Sequence, residues 1–252
     1  MQRFNILILT IPLINAFLVF GIERLTLNKK LNVIKLTTYF LFGMATIVVS
    51  HFVSPVIMKY LPDIGLILGS LSLSQRHAPP WLIVLYSILL IDLANYLLHR
   101  AMHLKIFWRL HQVHHSDTRV CGLTPLIHHP LEMVLSTAFL LFFYFVLDIP
   151  VVVILGYVLF FSLYDALLHS HLKLNKKFES LLGLIFITPT LHRSHHSIEM
   201  KESNLNFGSL FSIWDRLFGT HKKISKVDAY GVKEQKAKEL HLKNLLQMPF
   251  TN

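Results

Sequence analysis

Long stretches free of Asp, Glu, Lys and Arg constrain this chain more than any other feature. A helix needs about 20 apolar residues to cross the hydrocarbon core of a bilayer. Residues 4–22 form one such run, bounded by Arg3 and Glu23. Residues 36–58 form a second, broken only by His51 and Pro55, and residues 78–98 a third, with Asp92 as the only charge. Residues 133–147 and 149–164 are a shorter pair, separated by Asp148 and turned at Pro150. They predict a tight helical hairpin that just spans or only dips in. The stretches 61–73 and 181–191 read as interfacial or re-entrant pieces. The chain is 53% hydrophobic and 15% charged, whereas soluble domains carry roughly a quarter charged residues. A water-soluble globule and a disordered chain are both excluded. The expected fold is all-α, a multi-pass membrane helical bundle of four to five spans.

The basic residues orient these spans, because Lys and Arg collect on the cytosolic side. Arg24, Lys29, Lys30 and Lys35 follow the first run, but only Lys59 and Arg76 follow the second. Arg100, Lys105, Arg109 and Arg119 follow the third, and thirteen of the 24 basic residues lie from Lys173 onward. Rich and poor segments alternate consistently over five spans, with the N-terminus outside. The N-terminal run has no small-residue cleavage site and is expected to be retained. The regions after spans three and five then share the cytosolic face. Three parts follow: an N-terminal transmembrane region (1–77), a catalytic region (78–225) and a basic tail (226–252).

Those two cytosolic regions hold nearly all of the 16 histidines. His99 and His103 come first, then His111, His114 and His115, then His128 and His129; His169, His171, His192, His195 and His196 follow the hairpin. Residues three and four apart share a helix face, so His99 with His103, His111 with His114 and His115, and His192 with His195 and His196 each aim two or three imidazoles at one point. Neutral imidazole suits zinc, copper, nickel and iron. A structural zinc site closes with four ligands, and eight or nine converging histidines fit two ions better than one. The lone Cys121 excludes an all-thiolate zinc or iron–sulfur site and an intrachain disulfide framework. His51 reads as a packing residue, and His77, His221 and His241 as surface residues.

With these motifs the sequence resembles the fatty acid hydroxylase / sterol desaturase superfamily of membrane non-haem di-iron, histidine-box proteins. The resemblance runs from Asp92 to Thr220, through DLANYLLHRAMH, WRLHQVHHS, HPLE, HRSHHS and NLNFGSLFSIWDRLFGT. It implies a cytosolic helical cap with a histidine-rich dimetal site of two non-haem irons. The implied chemistry is O₂-dependent hydroxylation or desaturation of a membrane lipid, such as a fatty acyl chain or a sterol. By position, the implied ligands are His99, His103, His111, His114, His115, His169, His192, His195 and His196; His129 is either a ligand or a supporting residue, and His171 is a further candidate. Zinc can stand in for iron in recombinant protein.

Physical chemistry agrees with that chemistry. No side-chain acid or base removes a proton from an unactivated alkyl chain, whereas iron and O₂ can cut such a bond while the protein holds metal and substrate. A ligating histidine usually donates its other N–H to a carboxylate or carbonyl. Asp92 and Asp165 lie seven and four residues before His99 and His169, and are expected to orient them. Glu132, Asn204, Asn206, Trp214 and Asp215 are expected to brace the cap, and the 181–190 stretch to line a substrate entrance. No dinucleotide fingerprint or haem module is apparent, so an external electron donor is implied (a cytochrome, ferredoxin or reductase). The net charge of +10 suits anionic headgroups, and no groove-reading motif points to nucleic acid. A zinc-dependent membrane hydrolase would leave half the histidines unexplained. A metal transporter or sensor would place its ligands near the bilayer midplane. A haem carrier would need paired axial histidines on facing spans, and only His51 lies deep.

Overall fold

A computed structural model describes residues 6–27, 33–68, 78–223, 227–233 and 241–251. His77 and the 69–73 end of the first interfacial stretch lie outside the described residues. The described chain is helical, with two isolated bridges, Phe186 to Phe211 and Ser197 to Tyr230. In order, the helices are α1 (Ile6–Leu27), α2 (Val33–Leu68), α3 (Pro80–Met102), α4 (Lys105–His115), α5 (Pro130–Val146), α6 (Val151–His169), α7 (Lys176–Leu182), α8 (Pro189–His195), α9 (Met200–Ser203), α10 (Ile213–Leu217) and α11 (Leu242–Gln247). Four segments are long and apolar enough to cross a bilayer: Thr10–Leu27, Val33–Tyr60, Pro80–Met102 and Val151–His169. The chain is a multi-pass helical membrane protein, as its apolar runs predict. Helix α5, at 17 residues, is the shorter arm of the hairpin; Asp148 turns it into α6 with a φ of 50°.

Start signals set the frame. Pro79 and Pro80 open α3, Pro150 precedes α6, and Pro130 and Pro189 stand in the first turns of α5 and α8, where a missing N–H costs nothing. Asn175 and Thr188 cap α7 and α8 with side-chain oxygens. Helix α1 packs on α2 and α6, α2 on α5, and α3 on α4, α5 and α6. One apolar cluster joins Ala16 and Phe20 of α1 with Tyr39 and Phe42 of α2, Val113 of α4, and Leu245 and Met248 near the C-terminus. A second joins α3, α5 and α6 to Leu210.

Two boundaries depart from the sequence reading. Glu23 does not end the first span: α1 runs on to Leu27, and the fully buried Glu23 carboxylate accepts the N–H groups of Gly122 (3.0 Å) and His171 (3.0 Å). The 61–73 stretch is not separate through Leu68, because α2 continues unbroken to that residue.

Five helices place one end each at a common face. Glu23 near the end of α1 meets the 122 and 171 loops, and Tyr39 near the start of α2 donates to Asp117 Oδ2 at 2.6 Å. The C-terminal end of α3, the start of α5 and the end of α6 carry His99, Glu132 and His169 to the same place. Asp117 also accepts the Thr124 hydroxyl (2.7 Å) and the Arg119 N–H (2.9 Å). Tyr39→Phe removes one of these bonds and should cost about 1 kcal/mol. Asp117→Ala orphans three buried or half-buried donors at roughly 1–3 kcal/mol each. Thermal unfolding in detergent should therefore rank wild type above Tyr39→Phe and Tyr39→Phe above Asp117→Ala; equal midpoints would refute the network's role.

Candidate metal centre

Nine histidines converge where those helix ends meet. His99, His103, His111, His115 and His195 offer ring nitrogens within 4.8 Å of one another, and His114, His169, His192 and His196 form a second such group. The sequence spacing aligns each set: α4 supplies His111, His114 and His115 from its buried face, and the short helix α8 supplies His192 and His195. The groups abut, with the His115 and His196 rings stacked at 4.5 Å and the His111 and His114 centroids 5.4 Å apart.

Acceptors behind the rings decide which nitrogens face inward. A carbonyl oxygen only accepts, so the ring nitrogen against it carries the proton and the other is a bare lone pair. His99 Nδ1 meets Phe207 O at 2.8 Å, His114 Nδ1 meets Ile127 O at 3.1 Å, and His195 Nδ1 meets Leu205 O at 2.9 Å. His111 Nδ1 donates to Glu132 Oε1 at 2.7 Å, and His103 Nδ1 lies 3.1 Å from Asn204 Oδ1. His169 Nδ1 lies 2.8 Å from the Asp165 carbonyl and 3.2 Å from its carboxylate.

The inward nitrogens are left in an arrangement protein alone does not satisfy. His169 Nε2 faces the Nε2 atoms of His114 (3.3 Å), His192 (3.0 Å) and His196 (3.1 Å). His114 and His169 both present lone pairs, so their contact is repulsive, and at most one neighbouring N–H can point at His169. In the five-histidine group, Nε2 of His103, His111 and His195 and both nitrogens of His115 are buried without a hydrogen-bond partner. Burial first, then neighbouring imidazoles, hold His103, His111, His114, His115, His192, His195 and His196 well below the ordinary histidine range. The rings are neutral donors at pH 7, the state a metal requires. The set fits two cations.

The carboxylates behave unevenly. Asp165 touches His169, as its helical spacing predicts. Asp92 does not touch His99: it accepts Tyr157 Oη (2.8 Å), Leu210 N (2.8 Å), Phe211 N (3.0 Å) and Trp214 Nε1 (2.9 Å). It anchors the 207–214 loop, whose Phe207 carbonyl meets His99. Asp215 completes the loop, accepting the N–H groups of Phe207 and Gly208 (2.8 Å each) and the Thr220 hydroxyl (2.6 Å). Asn206, with φ 57°, ties Ser194 to Lys222. The direct support of His111 by Glu132 was not read from the sequence. Its signal is an acid in the first turn of an apolar helix, four residues after His128.

His129 and His171 stand outside both groups. His129 caps α5, accepting Leu131 N–H at Nδ1 (3.2 Å), while its Nε2 faces Leu246 O (3.2 Å). The His171 ring packs on Tyr230 at 5.9 Å. His128 lies nearer the centre than the sequence suggests, stacked on His114 at 4.3 Å and 3.9 Å from Glu132. His51 packs on Phe52 within α2.

Fold and centre together define a helical membrane protein built around two convergent imidazole groups. The chain belongs to the fatty acid hydroxylase family, whose model matches residues 84–220. Among curated relatives it is 30% identical to an ornithine lipid hydroxylase of Rhizobium tropici over 138 residues, 54% of this chain and 41% of that protein. It is 34% identical to the alkylglycerol monooxygenase of Danio rerio (56% of this chain, 31% of that protein) and 31% identical to that of Homo sapiens (61% and 33%). The chain thus spans less than half the length of these relatives. No solved structure matches.

The Phe207 support has little room to adjust. A Cβ on Gly208 would lie 2.6 Å from Phe211 O and 2.8 Å from Asp215 Oδ2, so Gly208→Ala must shift the loop at Phe211 or the Asp215 carboxylate that holds the Phe207 and Gly208 N–H groups. We expect Gly208→Ala to lose bound metal to a chelator faster than wild type by tenfold or more, the scale of disturbed outer-shell support. An unchanged rate would show that the loop does not orient His99.

Proposed function

We propose that this protein is an integral-membrane di-iron oxygenase that hydroxylates a membrane lipid. The carrying observation is the division of nine imidazoles into groups of five and four, with Nε2 of His103, His111, His115 and His195 buried without a protein partner and the four Nε2 atoms of the second group facing one another. His99, His103, His111, His115 and His195 would hold one ion, and His114, His169, His192 and His196 the other. When bound, the iron pair supplies the oxidising power that no amino-acid side chain has. Overall, one oxygen atom of O₂ enters a C–H bond and the other leaves as water, with two electrons and two protons consumed.

The chain's own residues hold and shield this chemistry. Glu132 and Asp165 polarise His111 and His169, backbone carbonyls fix His99, His114 and His195, and the Asn204 side chain meets His103. Seven of the nine ligand histidines are buried, which keeps water away from the centre. The names of the relatives, a lipid hydroxylase and alkylglycerol monooxygenases, support oxygen insertion over desaturation, and lipids over soluble substrates. The electrons would come from a separate cytochrome, ferredoxin or reductase. The positive-inside pattern supports a cytosolic position for the centre.

Protein purified from iron-supplied cells should carry close to two irons per chain. His115→Ala and His196→Ala should each reduce that content, whereas His129→Ala should keep it and lose only about 1 kcal/mol of stability with its cap. Lipid extracts from expressing cells should gain a species one oxygen heavier, absent with His115→Ala. Full iron in both ligand variants, or an unchanged lipid profile, would overturn the proposal.

A further inference from the structure

Beside the four-histidine group, the end of α6 and the segment leading into α8 enclose a space lined by Tyr164, Leu168, Leu172, Leu182, Ile187 and Pro189, among others. Its polar lining groups are already occupied. The Tyr164 hydroxyl donates to Ile187 O, Ser170 Oγ donates to Leu167 O (2.8 Å), and Thr188 Oγ1 accepts Leu191 N–H (3.4 Å). Carbon is what remains to face the interior. Leu168 precedes His169, and Pro189 begins the turn that carries His192, so the walls are continuous with the residues that build the centre.

The outer wall is amphipathic in a way a soluble surface is not. Phe178, Leu181, Leu184 and Ile185 are each more than half exposed. Lys173, Lys176 and Lys177 are exposed beside them. The nearest acids in sequence are turned elsewhere: Glu179 accepts Thr190 N–H (2.9 Å), and Asp165 lies against His169. Exposed apolar side chains next to unpaired lysines fit the boundary between acyl chains and anionic headgroups.

We propose that this space is the port for one hydrocarbon chain of an anionic membrane lipid, with Lys173, Lys176 and Lys177 meeting the headgroup at its lip. The port deepens the lipid-oxygenase reading and rests on it for the identity of the occupant as substrate. The three lysines admit the headgroup by charge, and the slot takes a linear chain alongside α6 toward the His169 end. The lipid then need not leave the bilayer.

The test uses full-length, metal-loaded protein in vesicles of phosphatidylglycerol or phosphatidylcholine carrying a diazirine on one acyl chain. After irradiation, peptide mapping should find adducts within residues 164–189, several-fold more from phosphatidylglycerol. Leu182→Trp, which fills the space, should reduce them at least fivefold while leaving adducts near the exposed Trp81 unchanged. If that variant fails to fold, the more exposed Leu174→Trp must give the same result. Joint reversal of Lys173, Lys176 and Lys177 to Glu should erase the phosphatidylglycerol preference. Adducts confined to outward helix faces, or port adducts indifferent to both fillings, would overturn the port; equal labelling by the two lipids in wild type would overturn the lysine lip. A labelled port without lipid oxidation would refute the oxygenase reading and leave the port standing, whereas lipid oxidation with an unlabelled port would do the reverse.

Discussion

The structure depends on imidazole rings held from behind so that their lone pairs face one another. Each Nδ1–H given to a carbonyl or carboxylate removes the alternative tautomer, and with it the ring's means of satisfying its neighbours. A buried polar group without a partner is costly, and here His103, His111, His115 and His195 all carry one. Desolvation and mutual repulsion oppose protonation, so the cluster cannot relieve itself by taking up charge. Among common partners only a cation satisfies several inward lone pairs at once.

That arrangement needs scaffolding stiff enough to hold like against like. Helix α3 provides much of it twice over. Its Asp92 grips Leu210, Phe211 and Trp214, and its His99 accepts the restraint that the same loop returns through Phe207. The loop is thus clamped to one helix at two points seven residues apart, with Asp215 closing it internally. Glu23 does comparable work for α1, tying it to the loops at 122 and 171, and Tyr39 and Asp117 bind α2 beneath them. The N-terminal helices are therefore part of the frame that aims the histidines.

Much of this was legible because two periodicities speak plainly. Charge-free runs announce membrane helices, and spacings of three and four put His99 with His103, His111 with His114 and His115, and His192 with His195 and His196 on shared helix faces; His169 was singled out only by the family resemblance. What the sequence could not show was which partner each acid would choose. Asp92 shares a helix face with His99, but helical spacing says nothing about a loop more than a hundred residues away, whose three N–H donors take the carboxylate first. Glu23 looked like a span boundary because a charge usually is one; burial with two backbone donors from distant loops reverses that. His129 sits amid the histidines in sequence, yet the proline after it makes it a helix cap, and its ring turns to the C-terminal segment instead.

An all-imidazole ligand set also has an electrostatic consequence. Nine imidazole ligands, which bring no negative charge of their own, would leave two divalent ions with their full formal charge, beside helices that run into hydrocarbon, where ionic charge is most expensive. Glu132 and Asp165 answer this from one atom further out, each bonded to a ligand ring and neither among the nine. Placed there, they would lend negative charge through the histidines to a bound metal without themselves being ligands. The basic residues that surround the cap stay at its surface, where lipid phosphates can neutralise them. A metal pair so supported could sit at the edge of a bilayer, where the proposed lipid substrate would meet it.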